Sequence, residues 1–406
     1  MLYNIAIKLY GIAIKIAAKF NPKAKKWVEG RRQIWSQLPD VSTKKVIWFH
    51  CASLGEFEQG RPIIERWKEK NKNDFILITF FSPSGYEVQK DYPLADYCCY
   101  LPLDTPNNAL RFVNHFNPHT TFFIKYEFWL NYIHCIKENG GQLYALSTIF
   151  RPNQRFFKWY GKPFRDALKK FDYFFVQNKE SLKLLNSINI KKVVVSGDTR
   201  YDRVSDRLKN QENNPLISRW LNEEKAFIVG SSWREDEILL LPFINDNQFK
   251  TILAPHEVNK KHIQEILNEL KVPSQCYTEA SKKGEISERT QVLILDCIGV
   301  LADAYQYGNI VYIGGAFRTG LHNIIEPAVY GLPVIFGPKH QKFPEASFFI
   351  EHKVGYSISN RKEFENTFSL LLQNETTLNN KIKHFIASQK GAREKVFAAL
   401  GDALYF

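Results

Sequence analysis

The stretch that most constrains the fold is residues 309–346, NIVYIGGAFRTGLHNIIEPAVYGLPVIFGPKHQKFPEA. The apolar run at 310–313 predicts a buried strand, and two glycines end it. Pro327 fits only the first turn of a helix, because farther inside it would remove a backbone hydrogen bond. Gly331 and Pro333 then stop the helix before the next apolar run. The pattern predicts a strand–loop–helix–strand unit of a parallel sheet, with its loop at the ligand-binding carboxyl edge.

Two interpretations of the polar loop in this stretch remain open. Asn323-x-x-Glu326 matches a capping box, in which the glutamate reaches back to the start of its own helix. The same turn also contains Gly314, Gly315 and His322, more small and polar residues than one helix cap needs. This crowding favours a binding site at the sheet edge, although a short motif alone does not decide between the two.

Composition limits the class of protein. A length of 406 residues predicts two or three domains, and a hydrophobic fraction of 44% is enough for sizeable cores. The six scattered cysteines include no C-x-x-C, so neither a disulfide framework nor a zinc site is expected and a reducing compartment is favoured. A net charge of +13 suits nucleic acid, anionic lipid or a phosphorylated substrate. Without a helix-turn-helix, RNP-like or zinc-finger pattern, nucleic acid is the least favoured partner.

The N-terminus is an apolar segment with basic residues. Residues 2–20 are apolar except for four residues on one helical stripe, Asn4, Lys8, Lys15 and Lys19. Lysines near mid-span oppose both a spanning helix and a secretory signal. A basic cluster at 23–32 follows and suits anionic lipid head groups. We predict that residues 1–35 form a membrane-associated helical segment, with packing onto its own domain as the alternative.

From residue 45 onward, short apolar runs alternate with amphipathic segments, which predicts an α/β protein with two successive doubly wound parallel sheets. Strands are predicted at 46–51, 75–81, 120–124, 143–146, 173–176, 193–196, 227–229, 251–254, 292–295, 310–313 and 334–336. Helices are predicted at 59–70 and 127–139, among others. The polar, Asn-rich segment 207–224 predicts a boundary between a domain at 36–210 and one at 211–406, with the option that the last helix crosses back. A ligand cleft is expected between the two domains.

Two carboxylates follow strands of the first domain. Glu56 lies in Ser53-Leu-Gly-Glu56 at a predicted helix start, where free amides and the helix dipole stabilise an ionised acid. It is a candidate general base for a hydroxyl, or else the partner of Ser53 in a capping box. Glu127 lies in the segment Lys125-Tyr-Glu-Phe-Trp129. It is either a residue of the site or an acid in the first turn of a helix.

Further candidates lie at other strand ends. Arg200 follows the last strand of the first half. We expect it either to hold a substrate phosphate or carboxylate, or to pair only with Asp198 or Asp202. In the second half, loops at 230–232, 254–256 and 296–299 follow strands, either as phosphate-binding loops or as ordinary turns. The chain contains no D-x-D, H-E-x-x-H or P-loop, so we expect a transfer reaction without a metal.

Four segments resemble one known family. HCASLGEFEQGRP, IKYEFWLNYI, SGDTRYDRV and GLHNIIEPAVYGLPVIFGPKHQKFPEA, in this order, are similar to the 3-deoxy-D-manno-octulosonic acid (Kdo) transferases of lipopolysaccharide biosynthesis. The resemblance implies a GT-B fold of two Rossmann-like domains facing across a cleft. It also implies a CMP-Kdo donor, the lipid A precursor lipid IVA as acceptor, inversion at the anomeric carbon, and no cofactor or metal. The expected location is the cytoplasmic face of a Gram-negative inner membrane.

The resemblance also assigns roles by position. Glu56 is expected to be the base, and Glu127 and Arg200 to stabilise the transition state. The expected CMP contacts are Pro255, His256, Ile298, Gly299, Val300, Asn323, Ile324, Ile325 and Glu326, with Glu326 on the ribose hydroxyls. The family usually has arginine where His256 stands and lysine where Arg200 stands. It often has an acid at Lys125 and a Met-Gly-Glu-like turn at 298–300.

Two other functions fit the same pattern. One is another GT-B enzyme that uses a UDP-sugar as a transferase or epimerase, which binding of uridine rather than cytidine nucleotides would reveal. The other is a membrane-tethered binding protein without activity, which CMP binding without turnover would reveal. The presence of both Glu56 and Glu326 argues against an inactive protein.

Overall fold

The chain forms two compact units. The computed structural model describes residues 2–209, 211–318 and 320–404, with side chains up to residue 401. The first unit takes the residues up to Arg203 together with those from Gln389 onward, and the second is Val204–Ser388. The division thus falls at Arg203, before the predicted boundary at residue 210, and the C-terminal segment belongs to the first unit. One cause is Asp202, whose carboxylate accepts the backbone N–H groups of Gly391 and Arg393 at 2.6 and 2.7 Å.

The first unit contains a seven-stranded parallel sheet. Its strands are β1 (Val46–Cys51), β2 (Phe75–Phe80), β3 (Tyr97–Tyr100), β4 (Thr120–Ile124), β5 (Gln142–Thr148), β6 (Tyr173–Val176) and β7 (Val193–Val195). Their order is β3-β2-β1-β4-β5-β6-β7, and every neighbouring pair is parallel. The chain direction across the sheet therefore reverses between β1 and β4. Such a topological switch point leaves a crevice at the carboxyl ends of the strands.

The second unit repeats this plan. Its strands are β8 (Ala226–Ser232), β9 (Thr251–Pro255), β10 (Ser274–Cys276), β11 (Val292–Ile294), β12 (Gly308–Ile313), β13 (Val334–Phe336) and β14 (Gly355–Ser357). Their order is β10-β11-β9-β8-β12-β13-β14, again with parallel pairing throughout. The switch point lies between β8 and β12. The two predicted doubly wound sheets are thus confirmed.

Helices connect the strands. They are α1 (Leu2–Ala17), α2 (Pro22–Glu29), α3 (Leu54–Lys70), α4 (Pro83–Gln89), α5 (Pro106–Phe116), α6 (Leu130–Glu138), α7 (Lys162–Leu168), α8 (Lys179–Ser187), α9 (Arg200–Lys209), α10 (Pro215–Leu221), α11 (Arg234–Asn245), α12 (Lys260–Glu269), α13 (Tyr277–Lys283), α14 (Leu301–Ala304), α15 (Ile325–Val329), α16 (Pro344–Glu351), α17 (Arg361–Gln373), α18 (Glu375–Ser388) and α19 (Ala392–Leu404). Among the described residues, no helix combines the length and the apolarity needed to cross a membrane.

The sheet of the first unit is covered by apolar cores on both faces. Along β1, Trp48 belongs to one core cluster, whereas Ile47 and Phe49 belong to the other. This alternation follows from the period of two in a strand, and burial on both faces explains the continuous apolar run at 46–49. Val396 and Leu400 of α19 complete the second cluster, which further accounts for the place of the C-terminal segment in this unit.

Three strands lie outside the sequence prediction, namely β3, β10 and β14. All three are edge strands of their sheets. The central strands β1 and β4 are buried throughout, whereas every residue of β10 is only partly buried. Because an edge strand faces solvent along one side and is often short, it lacks the long apolar run that identifies a central strand.

Two predicted helix starts are wrong. The helix predicted from Glu127 begins at Leu130, with Trp129 as its N-cap, so Glu127 lies in the preceding loop and not in a first turn. The helix predicted to open at Asn323 begins at Ile325, with Ile324 as its N-cap. In both cases the loop after the strand is longer than predicted, and the acidic or amide side chain is available for contacts other than capping.

Candidate active site

The switch point of the first sheet brings two acidic loops to neighbouring strands. The loop after β1 leads to Glu56 in the first turn of α3, and the loop after β4 contains Lys125 and Glu127. Because β1 and β4 are paired in parallel, both loops leave the same edge of the sheet. The strand order therefore places the two predicted carboxylates together, a relationship that linear spacing does not reveal.

Glu56 is a buried carboxyl at the N-terminus of α3, with 9% of its surface exposed. Its Oε2 accepts the backbone N–H of Ala52 at 2.5 Å. Ser53 is the N-cap but its side chain makes no capping hydrogen bond, whereas its backbone N–H, like that of Ala52, donates to Glu56, so only the glutamate half of the predicted capping box is present. Burial, and next the charge of Glu127, raise the pKa of Glu56 to about 8, against the lowering effect of Lys125 and the backbone amides. A proton acceptor tuned near neutral pH suits general base catalysis.

Glu127 is held from one side by an indole. Trp129 donates its Nε1–H to Oε2 of Glu127 at 2.8 Å. Burial raises the pKa of Glu127 to about 7, and the hydrogen bond from Trp129 lowers it in part. Glu56 and Glu127 thus share an environment in which at least one proton is retained near pH 7.

His50 lies beside Glu127 but is not its counter-ion. The imidazole is fully buried at the end of β1, and this burial lowers its pKa to about 3. Its Nδ1 lies 2.8 Å from the Thr79 hydroxyl, and its Nε2 lies 3.4 Å from Glu127 Oε2 and accepts from the Trp129 indole at 3.1 Å. The neutral ring therefore positions Trp129 and Glu127 without neutralising the carboxylate.

Lys125 brings a positive charge to this site. The sequence prediction named this residue only as a departure from the family pattern. Its charge lowers the pKa of both Glu56 and Asp198. Its backbone has a φ of +66°, a left-handed conformation that is costly for a residue with a side chain. The N–H of Lys125 donates to Leu146 of β5 at 2.8 Å, which holds the loop in this strained form. This positive φ is a local feature that the sequence does not reveal.

Arg200 forms an ion pair with Asp198. Its Nη2 lies 2.7 Å from Asp198 Oδ2, and its Nε donates to the same carboxylate at 3.0 and 3.2 Å. Burial favours the neutral form of Asp198, but the charge and hydrogen bonds of Arg200 outweigh it and hold the pKa of Asp198 below its ordinary value. Gln59 of α3 donates to Asp198 at 3.5 Å, and the Thr199 hydroxyl donates to the Gln59 carbonyl. The Arg200 loop is thus fixed to the helix that carries Glu56.

The switch point of the second sheet carries an aromatic stack. Trp233 follows β8, His256 follows β9 and His322 lies in the loop after β12. The rings of Trp233 and His256 stack at 4.4 Å between centroids, and those of His256 and His322 lie 4.5 Å apart. Trp233 also donates its Nε1–H to His322 Nε2 at 3.0 Å. Three strand-end loops are therefore joined at the edge where a nucleotide is expected.

The two imidazoles of this stack are neutral at neutral pH. Burial lowers the pKa of His256, and burial together with His256 lowers the pKa of His322 to about 4. Burial thus disfavours the protonated form of His256, at the position where the resemblance leads us to expect an arginine. The guanidinium of Arg318 lies 4.6 Å from the Trp233 ring and brings a positive charge to the stack. Neither Trp233 nor Arg318 was predicted as a site residue.

Asn323 and Glu326 are joined by their side chains. The Asn323 amide donates to Glu326 Oε1 at 3.0 Å, and its Oδ1 accepts the N–H of Ile325 at 3.0 Å. The predicted capping box is therefore replaced by a tight turn in which Asn323 orients the Glu326 carboxylate. Ile324 and Ile325 are 1% and 0% exposed and the N–H of Ile325 is donated to Asn323, so neither residue presents a free surface to a ligand in this structure.

Other predicted contacts in the second unit have different surroundings. Pro255 is the buried last residue of β9. Ile298 is 89% exposed, Gly299 has a φ of +99°, and Val300 is the N-cap of α14. The Ser232 hydroxyl donates to Glu237 at 2.9 Å, so it is engaged inside the unit, which favours the ordinary turn over the phosphate-binding loop at 230–232.

Comparison with known proteins identifies relatives of the chain. A family model described as 3-deoxy-D-manno-octulosonic-acid transferase (kdotransferase) matches residues 26–203. A bifunctional glycosyltransferase/methyltransferase of Fusobacterium nucleatum is 24% identical over 96% of this chain and 61% of its own length. The 3-deoxy-D-manno-octulosonic acid transferase of Rickettsia prowazekii is 26% identical, with 82% of this chain and 73% of the relative covered. That of Aquifex aeolicus is also 26% identical, with 81% and 86% covered. The chain thus spans less than two thirds of the Fusobacterium protein.

Solved structures share the fold. A UDP-GlcNAc 2-epimerase from Neisseria meningitidis, solved with UDP-GlcNAc, matches with a TM-score of 0.60 at 12% identity, covering 89% of this chain and all of that chain. A UDP-N-acetylglucosamine 2-epimerase from Listeria monocytogenes, described as putative, gives the same TM-score at 12% identity. With two parallel seven-stranded sheets, each reversing at a switch point, the fold class is GT-B, as predicted. At 12% sequence identity, the likeness to these structures indicates a shared fold and does not indicate a shared activity.

Proposed function

The chain belongs to the Kdo transferase family of glycosyltransferases, and we propose from this premise that it moves Kdo from CMP-Kdo to lipid IVA with inversion at the anomeric carbon. The observation that carries this proposal is a pair of carboxyls, the buried Glu56 and the largely buried Glu127, in the segments that directly follow the neighbouring strands β1 and β4. A pKa raised to about 8 makes Glu56 a proton acceptor matched to a sugar hydroxyl reaction near neutral pH.

The proposed reaction is a single displacement. The Glu56 carboxylate removes the proton of an acceptor hydroxyl, and the oxygen forms a bond to the anomeric carbon of Kdo. The bond between that carbon and the phosphate oxygen of CMP breaks, and its electron pair leaves with CMP. Because the new bond forms opposite to the breaking bond, the configuration inverts. CMP leaves as a phosphate monoester, so the reaction has no pyrophosphate that a metal ion would bridge, which supports a mechanism without a metal.

The neighbours of Glu56 stabilise charge in this proposal. Lys125 favours the ionised form of Glu56 and is therefore a positioning cation for the base. We assign Glu127 and Arg200 to the transition state, with Arg200 held in place by Asp198. After burial, the charge of Glu127 is the next largest cause of the raised pKa of Glu56. The raised pKa makes Glu56 a base strong enough to accept a proton.

The donor nucleotide is assigned to the second unit. We propose that Glu326, oriented by Asn323, binds the ribose hydroxyls of CMP. The loops at Pro255–His256 and at 298–300 complete the proposed contacts, and the buried Ile324 and Ile325 hold the turn that presents Glu326. The stack of Trp233 on His256 adds a flat surface suited to a pyrimidine or ribose face, which supports a nucleotide at this edge.

Membrane association belongs to the same proposal. α1 exposes apolar side chains along its length, among them Leu2 at 84%, Leu9 at 60% and Ile16 at 58%. A cavity of about 970 Å³ lies between α1 and the following segment and is lined by six cations, Lys8, Lys15, Lys19, Lys25, Arg31 and Arg32. Apolar groups beside cations suit an anionic bilayer surface. We therefore propose that the protein works at the cytoplasmic face of the inner membrane, held through α1.

One experiment tests donor, acceptor and copy number together. Purified protein is incubated with CMP-Kdo and lipid IVA, and the products are measured by mass spectrometry. We expect one or more additions of the Kdo mass, no addition when UDP-GlcNAc replaces CMP-Kdo, and unchanged turnover in EDTA. Proton NMR of the product then reports the anomeric configuration. Absence of any Kdo addition would reject the proposed reaction, whereas a retained configuration would reject inversion.

A further inference from the structure

A second cavity in the first unit reaches the candidate active site. It has a volume of about 670 Å³, within the range of small-molecule sites. Its floor is the loop after β4, from Tyr126 to Trp129, which contains Glu127. One wall is α1, through Tyr3, Ala6, Ile7 and Tyr10, and the other is formed by Gln154–Phe156 and Phe164. The N-terminal helix is thus a direct wall of the cavity at Glu127.

The lining is mainly aromatic and apolar. Glu127 at the floor and Arg155 in one wall are the two charged side chains among the described lining residues. The Arg155 guanidinium lies 4.7 Å from the centroid of the Phe164 ring, so this exposed residue covers part of the aromatic surface and brings a positive charge to the wall. A free sugar needs many hydrogen-bonding partners, whereas this lining offers mostly carbon. Its chemistry therefore suits a hydrocarbon chain with an anionic group near its end.

Exposed apolar groups flank the cavity on both sides. On α1, Leu2 and Ile5 are exposed at 84% and 44%. On the opposite wall, Trp159 and Tyr160 precede α7 and are exposed at 90% and 58%. The two walls meet where the Tyr3 ring contacts the Phe164 ring edge-on at 6.2 Å. Exposed aromatic and aliphatic side chains of this kind are typical of residues at a lipid–water interface.

We propose that this cavity binds an acyl chain of the lipid acceptor and so positions the acceptor's sugar at Glu127 and Glu56. The inference rests on the proposed function and adds to it the subsite and the residues that select an acylated acceptor. The flanking side chains of α1 and of Trp159–Tyr160 lie in the bilayer surface, and the chain passes from there into the cavity. Arg155 meets an anionic group of the acceptor near the entrance.

A cavity-filling variant tests the proposal without removing a core contact. Ala6 is exposed on α1 and lines the cavity, so Ala6→Trp fills it. Ala13→Trp is the matched control, because Ala13 lies seven residues later on the same face of α1, is also exposed and is not among the lining residues of this cavity. Both variants place the same large side chain on the same helix.

The readout is the steady-state kinetics with lipid IVA and with fully deacylated lipid IVA. We expect Ala6→Trp to raise KM for lipid IVA at least tenfold, with KM for CMP-Kdo unchanged and turnover of the deacylated acceptor unchanged. Ala13→Trp is expected to match the wild type in all three. Equal KM values for lipid IVA in the two variants would overturn the proposal, as would an equal loss on the deacylated acceptor.

A binding measurement separates this proposal from the proposed function. If the wild type transfers nothing from CMP-Kdo, the reaction is rejected, but the cavity is still tested with NBD-labelled dodecanoate and fluorescence. Binding to the wild type and to Ala13→Trp, with at least tenfold weaker binding to Ala6→Trp, supports an acyl-chain site. Equal binding to all three, or none to the wild type, contradicts it.

Discussion

Glu56, in the first turn of α3, and Glu127, in the loop after β4, directly follow neighbouring parallel strands, and burial together with the charge of Glu127 raises the pKa of Glu56 to about 8. Lys125 acts in the opposite direction on the same carboxyl. The base is thus set between one acidic and one basic neighbour, both contributed by the loop after β4. Since Glu127 itself has a pKa raised to about 7, the pair loses its protons across the neutral range.

The pH profile of transfer is expected to depend on both neighbours. In the wild type, kcat/KM for the acceptor rises with pH through about 7 to 8, because the base must be ionised. Glu127→Gln removes a negative charge, so we expect the rise of kcat/KM to occur at lower pH. The variant also has a lower rate. Lys125→Gln removes a positive charge and moves the rise of kcat/KM to higher pH. Lys44→Gln, at an exposed position, is the control and leaves the profile in place. Shifts of both variants in the same direction would contradict this assignment.

Replacing the base is expected to abolish activity and to raise stability at alkaline pH. Glu56→Gln lowers kcat roughly 10³-fold, since a general base contributes an effect of this size, and its amide oxygen still accepts the Ala52 N–H. The folded state holds the Glu56 proton more tightly than the unfolded state does, so this carboxyl favours folding less and less as pH rises from about 4.5 to about 8. The Glu56→Gln variant has no ionisable group at this position, so its free energy of unfolding does not fall in this way as pH rises.

The measurement is Tm by circular dichroism at pH 5 and at pH 8.5. We expect Glu56→Gln to melt about 3 °C above the wild type at pH 8.5 and close to it at pH 5. A lower Tm of the variant at both values would mean that Glu56 stabilises the fold as a capping residue. Retention of most of the transfer activity would remove Glu56 from the role of base.

The sequence predicts the central strands well because each is buried on both faces and forms a continuous apolar run. It predicts β3, β10 and β14 poorly because edge strands have no such run.

For the site, local spacing identifies Glu56 and Glu127 as separate candidates. Their relationship depends on the pairing of β1 with β4, which follows from the strand order and not from either motif. His50 shows the same limit, since its neutral state results from burial that only packing reveals.

The glycine loop after β12 provides a test of the donor site. Gly315 has a φ of +96°, and a Cβ there would lie 2.0 Å from the carbonyl oxygen of Gly320. Gly315→Ala is therefore expected to distort the loop that carries His322 and Asn323, to lower Tm by at least about 5 °C, and to weaken CMP binding at least tenfold. Gly320→Ala is the matched control, because its nearest neighbour is a Phe343 ring atom at 3.6 Å. Isothermal titration with CMP and thermal melting check both variants, and equal behaviour of the two would show that the loop conformation does not matter.

His256 provides the last prediction, which concerns the charge state of the donor site. Burial lowers the pKa of His256, and the ring stacks on Trp233, so its neutral form is favoured from pH 6.5 upward. We expect the change in CMP affinity across this range to be the same for the wild type and for His256→Gln, because the phosphate of CMP titrates equally in both. Replacement of the ring is expected to weaken binding severalfold at every pH through loss of the stack. Isothermal titration at pH 6.5, 7.2 and 8 measures this. A wild type that gains affinity toward low pH, beside a variant that does not, would show that a protonated His256 binds the phosphate.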